Sequence, residues 1–300
     1  MKSNNGSSRK HTIVFYALLV SELLRLPYLW GREALNKRSI RTEPPPLRRK
    51  PVETDRVYVG IHEWGGYPMR REKTIKNGAT FVCGLEYQLE RFARYRDAGR
   101  VELTVTLSDP DKHTDIGKIR SGADHLIATP TAGMDFSGYE AFYKTVENCP
   151  NAYVILSNSS VNAAQDDFLE GYIGYMEQHP EVGMLGISYC TKMIQSLVRN
   201  NFTPHLQSFF ILTTIDVLRQ IVAKNKGQFP GTGIGHKLLL IRRGEIGLSQ
   251  LALQIGYRLA VVRPENGQPF VFTDYRHWHI PRGDIRQYVA QPNKITPVAR

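Results

Sequence analysis

The sequence predicts an α/β sandwich built on a mostly parallel sheet. From Arg56 onward, short β-rich runs alternate with segments whose apolar residues recur at helical spacing. The run AYVILSNSS (152–160) is apolar on both faces up to Leu156, as expected of a strand covered on both sides. The composition, 41% hydrophobic and 22% charged over 300 residues, is that of an ordinary globular chain and excludes wholesale disorder.

Taken in order, RVYVGIH (56–62) reads as a strand closed by the turn signal Glu63-Trp64-Gly65-Gly66. Phe81, Leu85, Leu89, Phe92 and Tyr95 have helical spacing and predict a helix over 81–97. Strands follow at 101–109 and 124–131, a helix at 138–149 and a buried strand at 152–160. The next helix, 166–180, has Asp166 and Asp167 in its expected first turn, where the helix dipole favours acids. Strands at 182–190 and 208–214, a helix at 216–224, a helix at 247–256 closed by Gly256 and a strand at 258–264 complete the pattern.

Three units are expected: a leader over 1–54, a folded domain over 55–275 and an extension over 276–300. The net charge of +11 is unevenly spread. Residues 1–56 hold twelve Lys/Arg against five acids, so +7 of the excess lies there and the body is nearly balanced. That distribution argues against nucleic-acid binding by the body and suits an anionic surface met by the leader, with a solvated basic arm as the bland alternative. The apolar run Ile13–Val20 is too short to span a bilayer, and Pro27 is expected to break or kink any helix there. Two readings are open: a helix lying in a membrane interface, or one packed on the body or a partner. Residues 36–56, with Pro44-Pro45-Pro46, read as a stiff linker. Cys83, Cys149 and Cys190 form no CxxC pair, which suits a reduced, cytoplasmic chain, at the inner face of a membrane if the leader binds one.

No GxGxxG follows the first strand and no GxxxxGK[ST] occurs, so the dinucleotide and P-loop fingerprints are missing. In open α/β sheets ligands bind beyond the carboxyl ends of the strands, which selects the loops 62–68, 108–115, 130–138 and 157–163.

Several stretches resemble the family-2-like glycosyltransferases of the GT-A fold, and most closely their rhamnan-synthesis-type branch. AYVILSNSSVNAAQDDFLEGYIGYMEQHPEVGMLGISY has that family's strand, short polar motif, helix and strand. GEIGLSQLALQIGYRL (244–259) resembles its later segment, in which an acidic pair opens a helix. TPTAGMDFSGYEAFYKTV (129–146) and IHEWGGYP (61–68) resemble two upstream motifs of the branch. The likeness covers residues 55–275 and implies sugar transfer from a nucleotide-sugar donor to a cell-surface polysaccharide or lipopolysaccharide acceptor, glycan or lipid-linked.

It also implies roles. Glu245 falls where the family places the general base, its plain alternative being a helix-start glutamate. Arg242 and Arg243 are candidate diphosphate ligands or a solvated pair. Asp135 and Asp109 are candidate donor contacts, with an N-cap and a turn as their alternatives. His62 is a candidate base contact or a core histidine. The strand-end motif Ser157-Asn158-Ser159-Ser160, with Asn158, Ser159 and Ser160 toward the donor, lacks the family's aspartate, and Gly244 replaces the first acid of the later pair. A divalent Mg²⁺ or Mn²⁺ ion would then rely on Asp135, or on His277 and His279, or be dispensed with. The same departures support an alternative, a degenerate member that binds a glycan or partner without catalysis.

Overall fold

The computed structural model describes residues 4–38, 45–76, 78–191, 205–272 and 283–299. A long helix α1 (Asn4–Arg38) precedes β1 (Val57–Trp64), the hairpin β2 (Arg71–Thr74) and β3 (Thr80–Cys83), α2 (Leu85–Asp97), β4 (Val101–Ser108), α3 (Ile116–Gly122), β5 (His125–Thr129), α4 (Asp135–Val146) and β6 (Tyr153–Asn158). Then come α5 (Leu169–Gln178), β7 (Val182–Gly186), the two-residue strands β8 (Tyr189–Cys190) and β9 (His205–Leu206), β10 (Phe210–Thr214), α6 (Ile215–Lys224), α7 (Lys237–Leu240), α8 (Gly247–Ile255), β11 (Arg258–Val262) and β12 (Pro269–Phe272).

Eight strands form one sheet in the order β12-β11-β7-β10-β6-β1-β4-β5. Strand β1 pairs in parallel with both β4 and β6, β4 with β5, and β7 with β11. Strand β10 runs antiparallel between β6 and β7, and β12 antiparallel on the edge. Helices cover both faces, a Rossmann-like sandwich. Helices α4, α6 and α8 pack on one face through Phe142, Leu218 and Leu248; α2, α3 and α5 pack on the other through Phe92, Ile119 and Tyr172. Every residue of β6 and β7 is buried, which is why these strands read as continuous apolar runs. Helix α4 approaches the sheet closely where it carries Gly138: a Cβ there would meet the His62 ring at 2.2 Å.

Several elements differ from expectation. The helix expected over 81–97 starts at Leu85, because Phe81 belongs to β3 and Gly84, with φ 141, separates strand from helix. Helix α5 starts at Leu169, so Asp166 and Asp167 precede it. Asp166 pairs with Lys294 at 3.1 Å, and Asp167 accepts a hydrogen bond from Tyr95. Helix α1 runs through Pro27 rather than ending there; proline's own φ is helical, and what it removes is one ladder hydrogen bond.

Helix α1 packs on the body. Phe15 and Leu19 are buried in the core cluster of α4, α6 and α8, and Arg242 holds Glu22 with both terminal guanidinium nitrogens. The chain after it is laced down too. The Leu47 amide donates to the Gly256 carbonyl, Arg49 is buried with its Nε on the Val182 carbonyl, and the Glu53 amide donates to the Asn151 carbonyl. Among the described residues, no helix is long and apolar enough to cross a membrane.

Candidate functional site

Strand β6 delivers its polar end to the carboxyl edge of the sheet. Asn158 turns there: its Oδ1 accepts from the Ser160 amide at 2.9 Å, and its Nδ2 donates to Asp135 Oδ2 at 2.8 Å. Asp135 opens α4 but does not cap it. The cap position is Met134, with φ 46, and makes no side-chain cap bond. The Asp135 carboxylate instead faces β6.

The β2–β3 hairpin lies over this end. Alternate residues of a strand share a face, so Arg71 and Lys73 reach down together. Arg71 donates to Glu63 Oε2 at 3.1 Å and to Ser159 Oγ at 2.5 Å, and Lys73 donates to Ser160 Oγ at 3.0 Å. Burial pushes the Glu63 carboxyl up, against the pull of Arg71. Burial, with Arg286 nearby, pushes the Lys73 ammonium down, so an anion beside it would be welcome.

Glu245 arrives from the other side. Between α7 and α8 the helix widens into a π-helical stretch, Ile241–Ile246, a distortion that recurs at functional sites. Glu245 Oε2 accepts from the Ser208 amide and hydroxyl, both at 2.9 Å, while Oε1 lies 3.5 Å from His205 Nε2. His205 faces Cys190 across the β8–β9 pair. Burial alone would lower the His205 pKa, but the Cys190 sulfur and the Glu245 carboxylate override it and hold it at about 9. Burial would raise Glu245; His205 and Ser208 outweigh it and hold the carboxyl below its usual value. The result is an ionised carboxylate clamped by an imidazolium. The next residue along, Phe209, accepts through its carbonyl from the Asn158 amide at 3.2 Å, so the Ser208–Phe209 dipeptide joins Glu245 to the β6 end.

Beside the β6 end lies a cavity of about 390 Å³, and Glu245 and His205 share its wall with four cations: Lys73, Lys76, Lys237 and Arg286. Arg286 comes from the C-terminal segment, oriented by Asp284. A carboxylate within a cationic pocket can take a proton from a bound hydroxyl while the cations hold a polyphosphate.

A divalent ion fits poorly. The hydroxyls of Ser159 and Ser160 are engaged by a guanidinium and an ammonium, so positive charge already stands where the metal would coordinate, and one Asp135 oxygen is taken by Asn158. Among the described residues, no group of three or more His, Cys, Asp or Glu side chains could hold a metal ion. His277 and His279 lie outside the described residues.

Of the sequence candidates, Asp135, Asn158, Ser159 and Ser160 gather at the β6 end, while Glu245 lines the cavity and is joined to them through Ser208 and Phe209. His62 is 1% exposed, with Nδ1 3.0 Å from Thr106 Oγ1, and burial pushes its pKa down, so it sits neutral inside the sheet–α4 layer. Asp109, with φ 50, shapes the turn after β4 and pairs with Lys112 at 2.9 Å. Arg242 is spent on Glu22, and Arg243 is exposed on the helix surface. Gly244 has no room for an acid: a Cβ there would meet the Phe136 ring at 2.9 Å. Sequence reasoning missed Lys73, His205 and Arg286. The alternation Arg71-x-Lys73 before a turn was the available signal for the first; the others join the site only through long-range pairing.

The chain matches no protein-family model, and no curated protein matches it.

Proposed function

We propose that this chain is an inverting glycosyltransferase that moves a sugar from a nucleotide-sugar donor to a hydroxyl of a glycan or lipid-linked acceptor, as in cell-surface polysaccharide or lipopolysaccharide assembly. The observation that carries the reading is Glu245, ionised and clamped, in the wall of a cavity it shares with Lys73, Lys76, Lys237 and Arg286. The cations take the donor diphosphate. The acceptor hydroxyl gives its proton to a Glu245 oxygen as its own oxygen bonds to the anomeric carbon. The bond from that carbon to the diphosphate oxygen breaks, its electron pair leaves with the nucleoside diphosphate, and the cations stabilise the charge released. His205 keeps the carboxylate ionised between turnovers. Asn158 and Asp135 stand at the strand end where the donor sugar would lie.

The second reading, a non-catalytic glycan-binding relative, is supported by the spending of Ser159 and Ser160 hydroxyls on Arg71 and Lys73. The Glu245→Gln variant separates the two. Under transfer chemistry it binds the donor but loses turnover; turnover near that of the wild type removes Glu245 as the base, and a wild type that binds glycan but turns over no donor favours the second reading.

A further inference from the structure

Helix α1 has two apolar sides, and only one of them faces the protein. Phe15 and Leu19 are buried against the body, and Glu22, on the same side, is held by Arg242. Opposite them, at spacings of three and four residues, stand Ile13 (70% exposed), Tyr16 (57%), Val20 (55%) and Leu24 (79%), with Leu23 (43%) beside them. A helix anchored by one face has no structural need for large apolar residues on the other. From Ile13 to Leu24 this ridge runs roughly 16 Å along the helix.

The charge around the ridge points to its partner. Arg9, Lys10 and Arg25 are exposed on the same helix. Between Arg9 and Tyr28 the sequence holds one acid, Glu22, and it is turned inward to Arg242. The outer face thus presents apolar side chains bordered by cations with no carboxylate among them. A second copy would bring the same cations against their like. An anionic bilayer accepts the apolar side chains between its headgroups and the cations at its surface, with Tyr16 at headgroup depth. We propose that the outer face of α1 docks the protein on an anionic phospholipid surface, lying in the interface without crossing it. This rests on the exposed ridge and its charge, independently of the chemistry assigned to the cavity. It also has a consequence for that chemistry: α1 packs on α7, whose helix continues into the π-helical stretch bearing Glu245, so docking brings the cavity close to a lipid surface.

Co-sedimentation of the full chain with vesicles tests it, using phosphatidylcholine alone and phosphatidylcholine mixed with phosphatidylglycerol. The wild type is expected to pellet with the mixed vesicles, to stay in the supernatant with phosphatidylcholine, and to be released by salt. The triple variant Ile13→Ser, Val20→Ser, Leu24→Ser changes only exposed side chains, so its melting temperature should match the wild type while vesicle binding falls by about tenfold or more. Arg9→Glu with Lys10→Glu should weaken binding to mixed vesicles without altering the fold. Wild-type binding to neither vesicle, or undiminished binding by the triple variant, overturns the proposal. So does lipid-free self-association in sedimentation equilibrium that the triple variant abolishes, since the ridge would then be a contact between copies.

Discussion

At the β1–β4–β5 end of the sheet, polar side chains are consumed by their neighbours: His62 bonds to Thr106, Ser108 lies 3.5 Å from Thr129, and Asp109 pairs with Lys112. At the β6–β10 end the polar groups are equally organised but a cavity lies beside them, where Glu245 is clamped by His205 and Ser208 and shares the wall with Lys73 and Arg286. Both ends lie on the carboxyl edge of one sheet, where ligands are expected. The difference lies in what covers them. Helix α4 closes directly over His62 at Gly138, whereas beyond β6 the hairpin, the π-helical stretch and the C-terminal segment stand apart around a void. A strand-end position is therefore a necessary condition for a site, and packing of the overlying element decides whether it becomes one.

The largest effect expected from breaking the cavity side is that of Glu245→Gln. Loss of a general base should lower turnover by about 10²–10⁴-fold, with donor affinity changed only a few-fold, as read by steady-state kinetics beside calorimetric titration. Next, Lys73→Met removes a half-buried cation from the cavity wall that is proposed to hold the donor diphosphate. Donor affinity should fall by about tenfold or more, as the loss of a charge-assisted hydrogen bond of about 1.5–3 kcal/mol requires; an unchanged dissociation constant would exclude Lys73 from the donor site.

The pair that clamps the site also gives a pH signature. His205 is raised from 6.5 to about 9, so its stabilisation is complete below 6.5 and is lost as pH climbs through about 9. Glu245 is lowered from its ordinary 4.5, so its stabilisation is present above 4.5 and is lost as pH falls through the depressed value. Melting temperature against pH should show both flanks in the wild type; in Glu245→Gln the acid flank should disappear and the alkaline flank should move to lower pH, because only Cys190 then opposes the burial of His205.

Smaller effects sharpen the contrast. Gly244→Asp, which would supply the first acid of the pair that the resemblance implies, should cost about 1–3 kcal/mol through collision with Phe136, measured by chemical denaturation, and yield no gain in turnover. On the closed side, Asp109→Asn should change stability by no more than about 0.5 kcal/mol and leave donor binding intact, since asparagine also tolerates the left-handed φ of that turn.

The sheet was legible in the sequence because its strands are short apolar runs bounded by turn residues, as at 152–158, and its helices carry strong periodicity. What escaped was set by pairing across distance. The β2–β3 hairpin has polar residues on both strands, and the apolar Phe81 of β3 falls in step with Leu85 and Leu89, so strand and helix merged into one period. Glu245 was legible as an acid, but it lies inside a continuous helix and not at a helix start; the imidazolium beside it was not legible, because His205 reaches it through a two-residue strand forty positions upstream. Arg242 and Arg243 misled for a related reason: adjacent cations on a helix point in different directions, one to Glu22 and one to solvent.

The cavity walled by Glu245, His205 and Lys73, and not the closed side, is proposed to take a nucleotide sugar. Thermal shift of the full chain with UDP-, GDP-, dTDP- and CMP-sugars, with and without Mn²⁺, tests it most directly, because a bound donor raises the melting temperature by mass action. At least one donor is expected to stabilise the wild type without Mn²⁺, to stabilise Glu245→Gln to a similar extent, and to lose its effect in Lys73→Met. A donor shift that persists in Lys73→Met, or the failure of every sugar nucleotide to shift the wild type, would contradict it.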